Sequence, residues 1–239
     1  MRKTLVVLAS LGGGLLLLYA LVYGAIITCT GGPCVGTPED DVMNETAADS
    51  TIYGLGGDDT INVNENGTNL IFGGPGDDTV IAINNTQDGT LTIFGEDGDD
   101  FIDLSAVVSN VSGDETHVVY GGRGGDTILG TNDGTNATTG IAITVATDGP
   151  GRDTIIGLAS PITVFFVGDN EPDTFRGGAG TATVILDRNS GRDVIQCGSG
   201  GGTVFLNGNN KAVDPFGNNL RQAALLGGTA QSNCTTIVP

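Results

Sequence analysis

A nine-residue repeat constrains the fold of this chain more than any other feature of its sequence. The pattern is Gly-Gly-x-Gly-x-Asp followed by x-apolar-x, and three copies begin at Gly54, Gly73 and Gly121, the first with leucine at its second position. A fourth copy begins at Gly95, with glutamate at its second position and aspartate at its third. Tandem repeats of this length predict a solenoid, because each unit can bury its apolar face only against its neighbours.

The sixth position of the repeat continues beyond these copies as a column of aspartates, named here the Asp column. Its members are Asp41, Asp59, Asp78, Asp100, Asp126, Asp153, Asp173 and Asp193. Successive members are 18, 19, 22, 26, 27, 20 and 20 residues apart, and the first interval equals two repeats.

Apolar residues predict two short strands for each interval. The eighth position is always apolar: Met43, Ile61, Val80, Ile102, Ile128, Ile155, Phe175 and Ile195. Because side chains alternate across a strand, this column should face inward and the threonines beside it outward. A second strand is expected before each turn, at Asn69–Phe72, Leu91–Phe94, Thr116–Tyr120, Ile141–Ala146, Ile162–Val167, Thr183–Leu186 and Thr203–Leu206. We therefore predict an all-β fold, a parallel β-roll or β-helix solenoid of about eight coils.

The four repeat copies resemble the repeats-in-toxin, or hemolysin-type, calcium-binding family, over roughly residues 36–197. In that family two repeats make one coil, and each ion lies between the turns of successive coils. The resemblance implies that longer intervals keep the same coil and carry their extra residues on the side away from the Asp turns. It also implies Ca²⁺ as the cofactor, held by carboxylate and carbonyl oxygens. The implied metal residues are Asp41, Gly54, Gly56, Asp59, Gly73, Pro75, Asp78, Gly95, Asp97, Asp100, Gly121, Arg123 and Asp126.

The distribution of charge supports a bound cation in the first half of the chain. The formal net charge is −19, and between Lys3 and Arg123 there are 18 of the 28 acidic residues and no lysine or arginine. We expect calcium binding and folding to be linked there, since the metal-free segment resembles an acidic disordered tract. Arg152 and Arg192 stand beside aspartates in later turns, where they either take over part of the neutralisation or are solvated. Strong acidity argues against nucleic acid as a partner.

The amino-terminal segment predicts a single membrane anchor over residues 1–30. Arg2 and Lys3 precede an uncharged run from Thr4 to Thr28 that is long enough for a transmembrane helix. The two basic residues place the amino terminus in the cytoplasm and the repeats in the periplasm or outside the cell. The glycines at 12–14 allow close packing against a helix of another integral membrane subunit.

Four cysteines fit an exported chain with disulfide bonds. They allow three connectivities, of which Cys29–Cys34 closes a natural small loop and leaves Cys197–Cys234. Lipidation of Cys29 is the alternative for the first cysteine, because the preceding residues approach a lipoprotein cleavage site. Zinc is disfavoured, since His117 is the only histidine.

The remaining boundaries follow from these features. Residues 31–50 are expected to form a linker and a degenerate first coil, 51–208 the calcium-binding β-roll, and 209–239 a carboxy-terminal cap. A helix over Asn219–Leu226, ended by Gly227, fits the cap.

The sequence predicts a non-enzymatic protein, because it contains no nucleophile elbow, phosphate loop or paired metal-histidine motif. We expect an accessory, stabilising subunit of a larger membrane complex. A free cell-surface or periplasmic module for adhesion or calcium binding is the alternative, and a polysaccharide-acting β-helix enzyme is the second alternative.

Overall fold

The computed structural model describes residues 24–64, 67–83, 90–107, 116–132, 142–148, 151–167, 171–186, 191–207, 211–225 and 233–238. They form a parallel β-solenoid, as the repeat predicts. Within these ranges two parallel sheets, of nine and ten strands, enclose a thin core. Seven full turns connect the first member of the Asp column to the last.

The strands are numbered in chain order, and the odd-numbered strands up to β17 form the nine-stranded sheet. They are β1 (Ile26–Cys29), β3 (Val42–Glu45), β5 (Thr60–Val63), β7 (Thr79–Ala82), β9 (Phe101–Asp103), β11 (Thr127–Leu129), β13 (Thr154–Ile156), β15 (Thr174–Arg176) and β17 (Val194–Gln196). Each strand pairs in parallel with the next, so residues of the same repeat position stack directly on one another.

The even-numbered strands and β19 form the ten-stranded sheet. They are β2 (Gly32–Val35), β4 (Ser50–Tyr53), β6 (Thr68–Pro75), β8 (Thr90–Asp97), β10 (Thr116–Arg123), β12 (Ala142–Asp148), β14 (Ile162–Val167), β16 (Ala182–Leu186), β18 (Gly202–Leu206) and β19 (Thr236–Val238). All seven strands expected before the Asp turns are present in this sheet, which confirms that prediction.

The core consists of the inward columns of the two sheets. Every residue at the eighth repeat position is at most 1% exposed, which confirms the predicted inward column. In the opposite sheet, Ile52, Ile71, Ile93 and Val119 occupy one register and are fully buried. Because a coil contributes only a few such side chains, each coil depends on its neighbours for burial.

The predicted place of the extra residues is right for the middle coils and wrong for the last ones. Val119 lies 19 positions after Asp100, so the longest intervals are extended on the side away from the Asp turns. Ile71 precedes Asp78 by seven positions, whereas Val184, which continues the register of Ile71, precedes Asp193 by nine. The later coils therefore carry their added residues in the Asp turns.

The solenoid begins earlier than the sequence predicts. Strand β1 occupies the end of the uncharged run expected to be a membrane helix, whereas β2 and β3 lie in the segment expected to form a linker and a degenerate first coil. An apolar β-branched segment such as Ile26–Thr28 suits a β-strand as well as a helix in lipid, so its hydropathy does not distinguish the two. Residues 1–23, which carry the rest of the predicted anchor, lie outside the described residues. In the described part of the chain, no helix has the length and apolar character needed to cross a membrane.

Both predicted disulfides are present. Cys29 is bonded to Cys34 at the first coil, so its sulfur is not available for lipidation in this structure. Cys197 is bonded to Cys234 and joins the last coil to the tail.

The carboxy-terminal cap contains a short helix and one further strand. Helix α1 (Leu220–Leu225) lies within the predicted segment, and the Asn219 side chain caps it by accepting a hydrogen bond from the Gln222 amide at 2.9 Å. Strand β19 pairs with β18 and so extends the ten-stranded sheet, which the sequence analysis did not predict.

Candidate cation-binding turns

The Asp column is buried along one edge of the solenoid. All eight members are at most 2% exposed. Within the column, the backbone N–H of every aspartate from Asp41 to Asp173 donates a hydrogen bond to Oδ1 of the aspartate one coil further on, at 2.7–3.1 Å. The carboxylates thus take the place of the carbonyl acceptors of strand pairing at the point where the chain turns from one sheet to the other.

A second ladder lies outside the first and runs in the opposite direction. Its acceptors are the aspartates that immediately precede column members: Asp40, Asp58, Asp77 and Asp99. The amide of Asp77, for example, donates to Oδ1 of Asp58, one coil earlier, at 2.9 Å. Sequence reasoning missed this role, although the repeated Asp-Asp dipeptide was its signal.

The first glycine of the repeat is required because a carboxylate oxygen packs against it. A Cβ on Gly54 would overlap both Oδ2 of Asp59 and the carbonyl oxygen of Gly73. Gly73 and Gly95 are related in the same way to the aspartates five positions later. Two oxygens from successive coils therefore converge beside each of these glycines.

These oxygens have the chemistry of a site for a hard cation. In Asp59, Asp78 and Asp100, Oδ2 is buried and has no hydrogen-bond partner in the structure. A buried carboxylate oxygen is costly without a compensating charge or donor. Carboxylate and carbonyl oxygens are the ligands that Ca²⁺ prefers, so the donor set fits calcium.

Asp41 differs from these three aspartates. The backbone amide of Ala25 donates to its Oδ1, and the Thr37 hydroxyl also donates to Oδ1, at 3.0 Å. The Thr37 amide donates to its Oδ2 at 2.6 Å. Hydrogen bonds therefore satisfy both oxygens of Asp41, which makes it a poorer ligand than the other predicted members of the column.

The third repeat position was predicted to supply carbonyl ligands. The carbonyls of Pro75, Asp97 and Arg123 accept hydrogen bonds from glycine amides of the preceding coil, at 2.7–3.1 Å. The Arg123 guanidinium lies 3.8 Å from the Asp97 carboxylate, in an exposed ion pair. These residues stabilise the stacking of the turns, and their ligand role stays a prediction, as do those of Gly56, Gly121 and Asp126.

Burial raises the pKa values of the central aspartates. The pKa is about 6 for Asp59, about 7 for Asp78 and about 8 for Asp100, and desolvation is the largest cause in each case. The hydrogen bond from the neighbouring amide lowers each pKa, and the carboxylates of adjacent coils raise it. The column therefore resists full ionisation unless a cation is present.

The later turns keep the column but change its surroundings. Asp153 and Asp173 accept amide hydrogen bonds from the preceding coil at 2.8 and 2.9 Å, as the earlier members do. Asp148 stands five positions before Asp153, where earlier repeats have glycine. Arg152 and Arg192 are exposed, and their part in neutralising these turns stays a prediction.

His117 has a structural place in the core. It is fully buried, and its Nδ1 accepts a hydrogen bond from the Leu91 amide at 3.0 Å. Burial lowers its pKa to about 4, so the imidazole is neutral near pH 7.

No group of three or more His, Cys, Asp or Glu side chains converges on a metal position in the described ranges. The candidate sites instead combine one carboxylate with backbone carbonyls. Comparison with family models, with curated proteins and with solved structures finds no match to this chain.

Replacing Gly54 with Ala should destabilise the protein, by about 1–3 kcal/mol, because the added methyl group overlaps the Asp59 carboxylate and the Gly73 carbonyl. Gly56→Ala is the matched control in the same turn, since its Cβ would lie 3.6 Å from the nearest atom, the Pro75 oxygen. Chemical denaturation of the two variants measures the difference. Equal losses of stability would contradict the assigned packing.

The stability of the protein in chelator should fall as the pH rises from about 4 to about 8. The pKa values of Asp59, Asp78 and Asp100 are raised from 3.8 to about 6, 7 and 8, so the folded state binds more protons than the unfolded state in this range. This contribution is complete below pH 3.8 and is lost as the pH passes the folded-state values. Thermal unfolding at a series of pH values tests it, and a midpoint that rises across this window would count against it.

Proposed function

We propose that this chain is a non-enzymatic, extracytoplasmic structural module whose Asp turns bind Ca²⁺. The observation that carries the proposal is the unpartnered Oδ2 of three successive buried aspartates, Asp59, Asp78 and Asp100. Calcium bound there would neutralise carboxylates that otherwise repel one another from coil to coil.

The charge balance of the sequence supports a metal rather than a basic side chain at these turns. The segment before Arg123 holds 18 acidic residues and no basic residue after Lys3. Because each thin coil is stable only when stacked, a cation that stabilises stacking also stabilises folding.

The two disulfides support an oxidising compartment outside the cytoplasm. They close the first coil and attach the tail to the last one, so the ends of the solenoid are covalently secured. A rigid rod of this kind suits a bracing or spacing role.

We further propose that the protein is an accessory subunit of a membrane complex, attached through its apolar amino-terminal segment. The support is the uncharged run that follows Arg2 and Lys3, with its three successive glycines at 12–14. A free surface or periplasmic module stays the alternative, and the two differ in whether those glycines contact a partner helix.

Calcium should stabilise the fold, and Asp78→Asn should reduce that effect. Circular dichroism of the full chain near pH 7 should show less β-structure and a lower unfolding midpoint in chelator than in millimolar calcium. Asp78→Asn removes a buried charge but keeps the shape, so it should raise the unfolding midpoint in chelator by a few degrees and reduce the calcium-induced increase.

Asp173→Asn is the matched control for this experiment. Asp173 occupies the same column and accepts the same amide hydrogen bond, at 2.9 Å, but its longer turn has aspartate and glutamate at the second and fourth repeat positions, where the turn of Asp78 has glycine. Its calcium response should match that of the wild type. A circular dichroism spectrum of the wild type that is unchanged by calcium would refute the calcium proposal.

Gly13→Leu should separate the protein from its complex if the subunit proposal is right. A leucine prevents close approach of two helices but is harmless in lipid, so the variant should stay in the membrane with its disulfides formed. Co-purification of partner subunits from native membranes is the measurement, and Leu16→Ile is a control in the same run. Undiminished co-purification would favour the free surface module.

A further inference from the structure

The outer face of the ten-stranded sheet carries two uncharged columns of side chains. The first column contains, in register, Val35, Tyr53, Phe72, Phe94, Tyr120, Ile185, Phe205 and Val238. The second contains Pro33, Thr51, Leu70, Thr92, Val118, Thr163, Thr183, Thr203 and Thr236. These seventeen positions form what is called here the neutral face. They hold no charged residue in a chain of net charge −19.

Four aromatic rings of this face form a continuous stack. Tyr53, Phe72, Phe94 and Tyr120 follow one another with ring centroids 5.1, 5.1 and 4.8 Å apart and planes within 8° of parallel. The ring faces are therefore turned toward neighbouring coils, and the ring edges form the outer surface. This arrangement disfavours a flat sugar ring or base as the ligand, because such ligands stack on ring faces.

We propose that the neutral face is the interface between two copies of this chain. A second copy presents the same series of ridges with the same spacing of about 4.8 Å between strands, so two neutral faces can interdigitate along their length. The arrangement is isologous, with the same surface contributed by both copies.

The absence of charge permits a second copy to bind on this face. The Asp column and the outer aspartates lie at the turns, whereas the neutral face presents no carboxylate to a partner. Two strongly acidic molecules repel at most orientations, and an uncharged contact surface keeps their like charges apart.

The area of the face is sufficient for a specific but weak dimer. Ten strands span about 45 Å, and two columns of side chains are about 13 Å wide, which gives roughly 600 Å² for each copy. The total of about 1,200 Å² lies at the lower limit of specific protein interfaces. We therefore expect a reversible dimer with a dissociation constant in the micromolar range.

Thr92→Lys should disrupt this dimer, while Thr79→Lys should not. Both are half-buried, outward-facing strand threonines, but Thr92 lies within β8 on the neutral face and Thr79 begins β7 of the nine-stranded sheet. A lysine on the neutral face has to lose its hydration on dimerisation, so the dissociation constant should rise about tenfold or more.

Sedimentation velocity of the full chain, in mild detergent with calcium present, measures the association. Thr183→Lys repeats the test on another strand of the neutral face, in case Thr92→Lys does not fold by circular dichroism. Dimers of the wild type and Thr79→Lys, with monomers of Thr92→Lys or Thr183→Lys, would support the proposal. A monomeric wild type, or equal association of all variants, would overturn it, and the latter result would assign dimerisation to another surface such as the amino-terminal segment.

Discussion

The hydrogen bond from each amide of the Asp column to the carboxylate one coil further on is the interaction on which the solenoid depends. It occurs at the place where two sheets meet and where strand pairing alone leaves amides without acceptors. Because the aspartate serves as both donor and acceptor, the bond passes from coil to coil without interruption and holds the turns in register. The outer aspartates make the complementary contact in the opposite direction, so successive turns are joined by two antiparallel ladders.

This same interaction creates the electrostatic problem of the fold. A carboxylate that accepts an amide proton on Oδ1 has to be buried to reach it, and its second oxygen is then pressed against a glycine of its own turn. Stacking repeats this arrangement, so each carboxylate is desolvated and lies near the carboxylates of adjacent coils, which raises the pKa to about 6 for Asp59 and to about 8 for Asp100. Either a proton or a cation can relieve the cost, which is why acid and calcium are expected to act on the same turns.

The sequence predicts those features that depend on short periods. Ile102 and Phe175 are fully buried because alternation along a strand determines their direction, and Asn219 caps a short helix as its residue type suggests. The sequence does not predict the secondary structure of a segment whose residues suit two different environments. The segment Ile26–Thr28 is apolar enough for a membrane helix and also for the edge strand that it forms. The site was predicted as a set of ligands, but the roles of Asp58 and Asp77 as acceptors for amides of the next coil depend on register.

The separation of charge from apolar surface follows from the way a parallel solenoid is built. Since each coil repeats the direction of the one before, a residue type that suits one turn is repeated along an edge, and one that suits a strand is repeated along a face. Acidic residues are therefore concentrated at the turns, where Asp77 and Asp99 accept hydrogen bonds from backbone amides. Aromatic residues such as Phe72 and Phe94 stack on the face of the ten-stranded sheet. The edge proposed to bind calcium and the face proposed to bind a second copy are thus physically distinct. On these proposals, a cation at the turns would stabilise the rod without altering the face that a partner would contact.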